Sequence, residues 1–285
     1  MPNAPTGFSG PVIYSGRGIN NGFFENLPIG VNPDYVVFMD DFITEAIDTD
    51  KWDTETLNSG TVGLLGGAAT GDDIPYGWAQ AKGSGTTADS GAGLRLNETI
   101  QGTRKTTNWF EASVGLGDSA LSNLFVGFSG NDAMATGQPF AAGQRIGIQV
   151  ESGSAEIKCI SRNWDDEEIT STGIDFEDYS MASGAGVGGK LGDTRKLGFR
   201  WTNPSQGDAT WHSYRVDFFV DRVLVATHQN TATYQPIATK IFMPWWAFTQ
   251  GAVAAEADCV LDYMLVVSSR GEPENGKMVA FGSRS

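Results

Sequence analysis

The sequence predicts an all-β protein, a two-sheet antiparallel sandwich of jelly-roll type preceded by an extended N-terminal arm. Three observations predict it. The 285 residues include 37 glycines, close to twice the usual ~7 % share, and with abundant Thr, Ser, Asn and Asp they punctuate the chain with turns. Runs of partial period-two alternation recur, and no helical period is sustained over a dozen residues. Many short strands without intervening helices bury their apolar faces most simply as two packed sheets.

Residues 1–34, MPNAPTGFSGPVIYSGRGINNGFFENLPIGVNPD, hold too much Pro and Gly for a regular element yet carry Phe8, Tyr14, Phe23, Phe24 and Leu27. A solvated linker would not hold so many large apolar groups, so this segment reads as an arm that docks, on its own sandwich or on a neighbouring subunit. The sandwich is expected over 35–285. It opens with YVVFMDDF and continues through GLRLNET, WFEASVGL, NLFVGFS, RIGIQVES and AEIKCISR, with Gly, Asn or Asp between the runs. Glycine-rich stretches at 59–93 and 182–193 read as long surface loops. KLGFRWT, WHSYRVDFFVDRVLVATH, TKIFMPWWAF and CVLDYMLVVSS complete the strands, and no internal repeat is visible.

The formal charge of −15 repels a phosphate backbone, so nucleic acid is not an expected partner. The longest apolar runs, YVVFM and MLVV, fall far short of the ~20 residues that cross a bilayer, and the N-terminus lacks a basic region followed by an apolar one. Neither a membrane span nor a secretion signal is expected. Cys159 and Cys259 sit in strand-like runs a hundred residues apart and read as two reduced core thiols, with a disulfide as the other reading. His212 and His228 are the only histidines, too few for a zinc site or a His-dependent triad to be drawn. No cofactor is called for. Calcium is the ion best matched to the acidic clusters MDDF, IDTD, GDD and WDDEE, although no D-x-D-x-D-G loop is present.

Three segments in order, FMDDFITEAIDTDKWDT, WHSYRVDFFVDRVLVATH and VLDYMLVV, resemble the concanavalin A-like lectin/glucanase superfamily. Between them they span the chain from 35 to 268. The resemblance implies a concanavalin A-like jelly roll in which Trp52, Tyr214, Val216, Phe218 and Tyr263 are core or rim residues. The stretch TGIDFEDY, residues 172–179, is similar to the strand-borne E-I-D-x-E carboxylate set of the laminarinase-like hydrolases. In a strand, Gly173, Asp175 and Glu177 share one face and Ile174 and Phe176 the other. A retaining glycosidase needs a carboxylate nucleophile and a carboxyl acid/base. The resemblance puts Glu177 at the acid/base position and Asp175 at the helper's, but Gly173 stands at the nucleophile's. Glu167 and Glu168, expected on a loop or the preceding strand, could substitute only from there. The readings are a displaced hydrolase, a sugar-binding remnant or an acidic surface strand, and the chain is expected not to be an enzyme.

Trp164, Trp245 and Trp246 are the candidate aromatics for a sugar or an interface. Adjacent tryptophans in a strand face opposite ways, so one of the 245/246 pair is expected to leave the core. In style, NWFEASVGLGDSALSNLFVGFS resembles virion proteins of tailed bacteriophages that use this sandwich. That resemblance implies a structural, capsid-decorating or cement protein on the outer capsid surface, assembled in the host cytoplasm. Its partners would be the major capsid protein or other virion subunits, and it would form homo-oligomers, a trimer among them. The alternative is a glycan-binding or glycoside-hydrolase-like domain.

Overall fold

The computed structural model describes residues 35–43, 46–65, 77–101, 106–130, 133–136, 139–140, 143–162, 167–176, 194–202, 215–229, 241–251 and 257–269. The arm with Phe8, Tyr14, Phe23, Phe24 and Leu27, the 182–193 stretch, and Trp164, Glu177, His212 and Tyr214 lie outside the described residues.

The described residues form sixteen strands in succession: β1 (Tyr35–Asp40), β2 (Trp52–Leu57), β3 (Thr61–Leu65), β4 (Trp78–Lys82), β5 (Gly91–Leu96), β6 (Ile100–Gln101), β7 (Thr107–Leu116) and β8 (Ser122–Ser129). The second half holds β9 (Arg145–Glu151), β10 (Ser154–Arg162), β11 (Glu167–Asp175), β12 (Arg195–Thr202), β13 (Arg215–Val220), β14 (Val223–Gln229), β15 (Ile241–Gln250) and β16 (Asp258–Ser269). They form two eight-stranded antiparallel sheets, and the described residues contain no helix. The first runs β14-β13-β12-β7-β16-β4-β3 with β1 on β16, the second β11-β10-β9-β8-β15-β5-β2 with β6 on β15. The expected jelly-roll sandwich is therefore what the chain forms.

Alternation explains which residues meet between the sheets. In TNWFEASVGL, Phe110, Ala112, Val114 and Leu116 point inward, and Phe110 stacks on Phe199 at 5.3 Å with Phe128 edge-on to both. Trp52, Val216 and Phe218 are buried in this core, while Tyr263 is half-buried on the outer face of the first sheet. Asp221 and Arg222, both at positive φ (50° and 67°), make the tight two-residue turn between β13 and β14. Both cysteines are buried and free, which agrees with the reduced-core reading.

The 59–93 stretch is not the long surface loop expected of it. It contains β3 and β4, and Ala79 and Ala81 of WAQAK are fully buried against the core. Alanine has little strand propensity, so local sequence conceals a strand whose small side chains fit a tight inter-sheet position.

Candidate functional site

On the outer face of the second sheet, register fixes which residues are presented. Across that sheet, from β11 to β2, Ile169, Ile160, Gly147, Gly127, Trp245, Arg95 and Asp53 are successive neighbours. One step along lie Ser171, Lys158, Gln149, Phe125, Ala247, Gly93 and Glu55. Gly147, Gly127 and Gly93 bare the floor, leaving a trough flanked by large rings. At Gly147 the bareness is required, because a Cβ there would stand 2.9 Å from the Phe125 ring.

The trough is filled from above. Between β8 and β9 the chain turns over the face, with the Gly130 amide donating to the Gln144 carbonyl (2.9 Å) and Ala135 to Pro139 (3.1 Å). This places Phe140 edge-on to both Phe125 and Trp245, each 5.0 Å away. Phe125, Phe140, Ile160, Met243, Trp245 and Ala247 thus form a second apolar cluster, with Met134 packed on it. The Arg95 guanidinium lies 5.6 Å from the Trp245 ring centroid. Trp246 points into the main core. Trp245 does leave that core, but Phe140 covers it and it is 0 % exposed, not solvent-facing. Its indole N–H is buried with no acceptor among the described residues.

Three carboxylates on this face are held by bases. Lys158 Nζ lies 2.6 Å from Glu151, which also accepts from the Gln149 amide at 2.9 Å. Glu167 bridges Arg145 (2.7 Å) and Arg162 (3.5 Å), and Asp53 pairs with Arg95. Burial pulls the Arg145 guanidinium below its ordinary value, opposed by Glu167.

The stretch resembling the hydrolase motif lies at the edge of this face, away from the aromatic cluster. Gly173 and Asp175 are exposed on β11, the edge strand, four strands from the one bearing Trp245. Ile174 packs on the core and Phe176 is buried in it, as the alternation required. Gly173 is at φ +69°, and its amide donates to Glu156 Oε1 at 3.1 Å. Glu167 and Glu168 are the first two residues of the same strand, not of a loop or the preceding strand. No group of three or more His, Cys, Asp or Glu able to hold a metal occurs among the described residues. Asp262, in the closing strand, is raised above the usual carboxylate range by burial, with Asp41 adding to the shift.

Sequence reasoning passed over His228. It is fully buried on β14 and bonds across to the second sheet, Nδ1 to Ser161 Oγ at 2.7 Å and Nε2 to Thr170 Oγ1 at 3.0 Å. A lone histidine in a strand gives no sign of such partners, which lie 67 and 58 residues away in the chain.

No family profile matches the sequence, and no curated protein matches it. Solved structures share its architecture. A GH16 protein from the mixed-linkage glucan locus of Bacteroides ovatus, in complex with a G4G4G3G product, is 12 % identical, with a TM-score of 0.50, covering 80 % of this chain and 99 % of its own. A Shewanella oneidensis protein of unknown function is 8 % identical (TM-score 0.49, 82 % and 87 % covered). The catalytic domain of a Thermotoga petrophila endo-1,3-β-glucanase is 12 % identical (TM-score 0.48, 84 % and 99 % covered). At such identities the likeness establishes the fold alone: a concanavalin A-like jelly roll. It also corrects the expectation that the chain is not an enzyme, since a glycoside hydrolase is built on the sandwich that had been read as purely structural.

Proposed function

We propose that this chain is a carbohydrate-active sandwich that takes a glucan-type polysaccharide on the outer face of its second sheet. The observation that carries the reading is the glycine floor with Trp245 and Phe125 beside it, which Phe140 covers and must leave before a sugar ring can stack there, on the architecture of a protein solved with a mixed-linkage glucan product. Sugar rings lay their C–H faces on aromatic rings, and polar groups at the rim, here Glu151, Arg95 and Asp53, suit their hydroxyls. Affinity electrophoresis through gels containing mixed-linkage glucan or laminarin tests it. Retardation of the full chain that is lost in Trp245→Ala and reduced in Arg95→Ala supports the reading; equal mobility in all gels contradicts it. A reducing-end assay run in parallel asks whether the face also cleaves, and any turnover should fall in Glu151→Gln.

One observation favours a second reading, a virion structural component docked through protein contacts. Val223 and Leu224, adjacent at the start of β14, are both substantially exposed on an edge strand, an apolar pair of the kind that marks a contact surface. Co-sedimentation with undecorated phage particles tests that reading.

A further inference from the structure

We propose that His228 is an acid-released clasp that fastens the two sheets along the flank where their edge strands, β14 and β11, meet. Within each sheet the backbone ladders hold neighbouring strands together. Between the sheets no ladder exists, so a flank is closed only by side chains. On the opposite flank Trp52 Nε1 donates to Asp40 Oδ2 at 2.8 Å, linking the second sheet to the first. On this flank the link is His228.

Register points the imidazole inward, because His228 lies opposite Val216, whose side chain is in the core. The ring is edge-on to Phe218 at 4.8 Å and bonds Ser161 on β10 and Thr170 on β11. A neutral imidazole has one donor and one acceptor, and a hydroxyl can serve either, so both ring nitrogens are satisfied. Protonation turns both nitrogens into donors and places a charge where no water reaches.

Among the described residues, little nearby offsets that charge. Val216 and Phe218 of β13 and Ser161 of β10 carry none, and burial pushes the Cys159 thiol up to about 12, so it stays neutral. Glu168 of β11 approaches Nδ1 at 4.0 Å, but burial raises its own pKa, so its charge fades as acid charges the ring. Burial holds His228 itself down at about 4, against 6.5 for a free imidazole. The folded value is the lower one, so the clasp is at full strength above pH 6.5 and weakens as the pH falls from 6.5 to 4. At pH 5 the open flank binds the proton and the closed flank does not, which multiplies the opening constant about 30-fold over its neutral value.

Hydrogen exchange on the full chain at pH 7 and pH 5, corrected for intrinsic rates, tests this. In the wild type the opening constants of β11 and β14 should rise about 20-fold between pH 7 and pH 5, relative to β7 and β8. In His228→Gln, uncharged at both pH values, they should change less than about threefold, since no linked proton remains. An equal acid response in wild type and variant overturns the proposal, as does a response spread evenly over β7 and β8. Should His228→Gln fail to fold, the imidazole C–H resonances of the wild type decide: a buried histidine titrating well below 6.5 upholds the clasp, and both histidines titrating near 6.5 overturn it. None of these outcomes depends on glucan binding.

Discussion

Replacing Phe140 by alanine should both weaken the fold and uncover the trough. The ring is 1 % exposed and meets Phe125 and Trp245 at 5.0 Å each. Truncating a buried phenylalanine costs about 3–5 kcal/mol through lost transfer energy and the cavity left behind. This site lies under a surface turn where water can enter the space, so the lower end, about 3 kcal/mol, applies. For a chain of this size that is a melting point about 6–12 °C lower. Calorimetry of wild type and Phe140→Ala measures it, with glucan titrations of the same two proteins alongside. If Phe140 stands where a sugar ring would lie, the variant binds glucan more tightly despite its lower stability. A melting point within a degree of wild type would refute the placement of Phe140 in the trough. Lower stability with weaker or unchanged binding would refute its competition with the sugar.

Three further outcomes are expected. Asp217 is 1 % exposed and holds Arg200, Arg215 and Thr227 at 2.7–2.9 Å; burial alone would raise its pKa, but these bonds take it below the ordinary value. Its charged form therefore stabilises the fold above a pH of about 4, and that contribution is lost as the pH falls through the lower folded value. Urea melts of Asp217→Asn should show a loss of about 1–2 kcal/mol at pH 7, discounted because both arginines reach solvent, that narrows below pH 3. Ellman titration should label Cys159 and Cys259 only after denaturation, since burial raises both thiols above their ordinary pKa. Gly173→Glu, which completes the motif in sequence, should leave glucan turnover at the wild-type level, because an exposed edge residue four strands from Trp245 does not reach the trough.

Orientation was legible in the sequence; cover was not. Alternation placed Ile174 and Phe176 toward the core, sent Trp245 and Trp246 opposite ways, and picked out β7 to β10 and β12 to β16. It could not say that Phe140, from a turn 105 residues before Trp245, would close over that ring, because burial on an outer face depends on where a distant segment lands. β4 escaped notice for want of strand formers, its alanines being matched to a narrow gap that only the opposing sheet defines. The motif-like stretch drew attention by its spacing, yet spacing fixes which side chains share a face and not whether the strand is central or at an edge. His228 was weighed only for zinc or a triad, while its partners Ser161 and Thr170 are brought to it by the packing of the two sheets.

Binding of glucan to the outer face of the second sheet is tested most directly by hydrogen-exchange footprinting with mixed-linkage glucan oligosaccharides. Such binding predicts saturable protection of backbone amides in Ser122–Ser129, Arg145–Glu151 and Ile241–Gln250, the strands beneath the trough, with the first sheet unchanged. No protection at millimolar oligosaccharide, or protection confined to the first sheet, would contradict it.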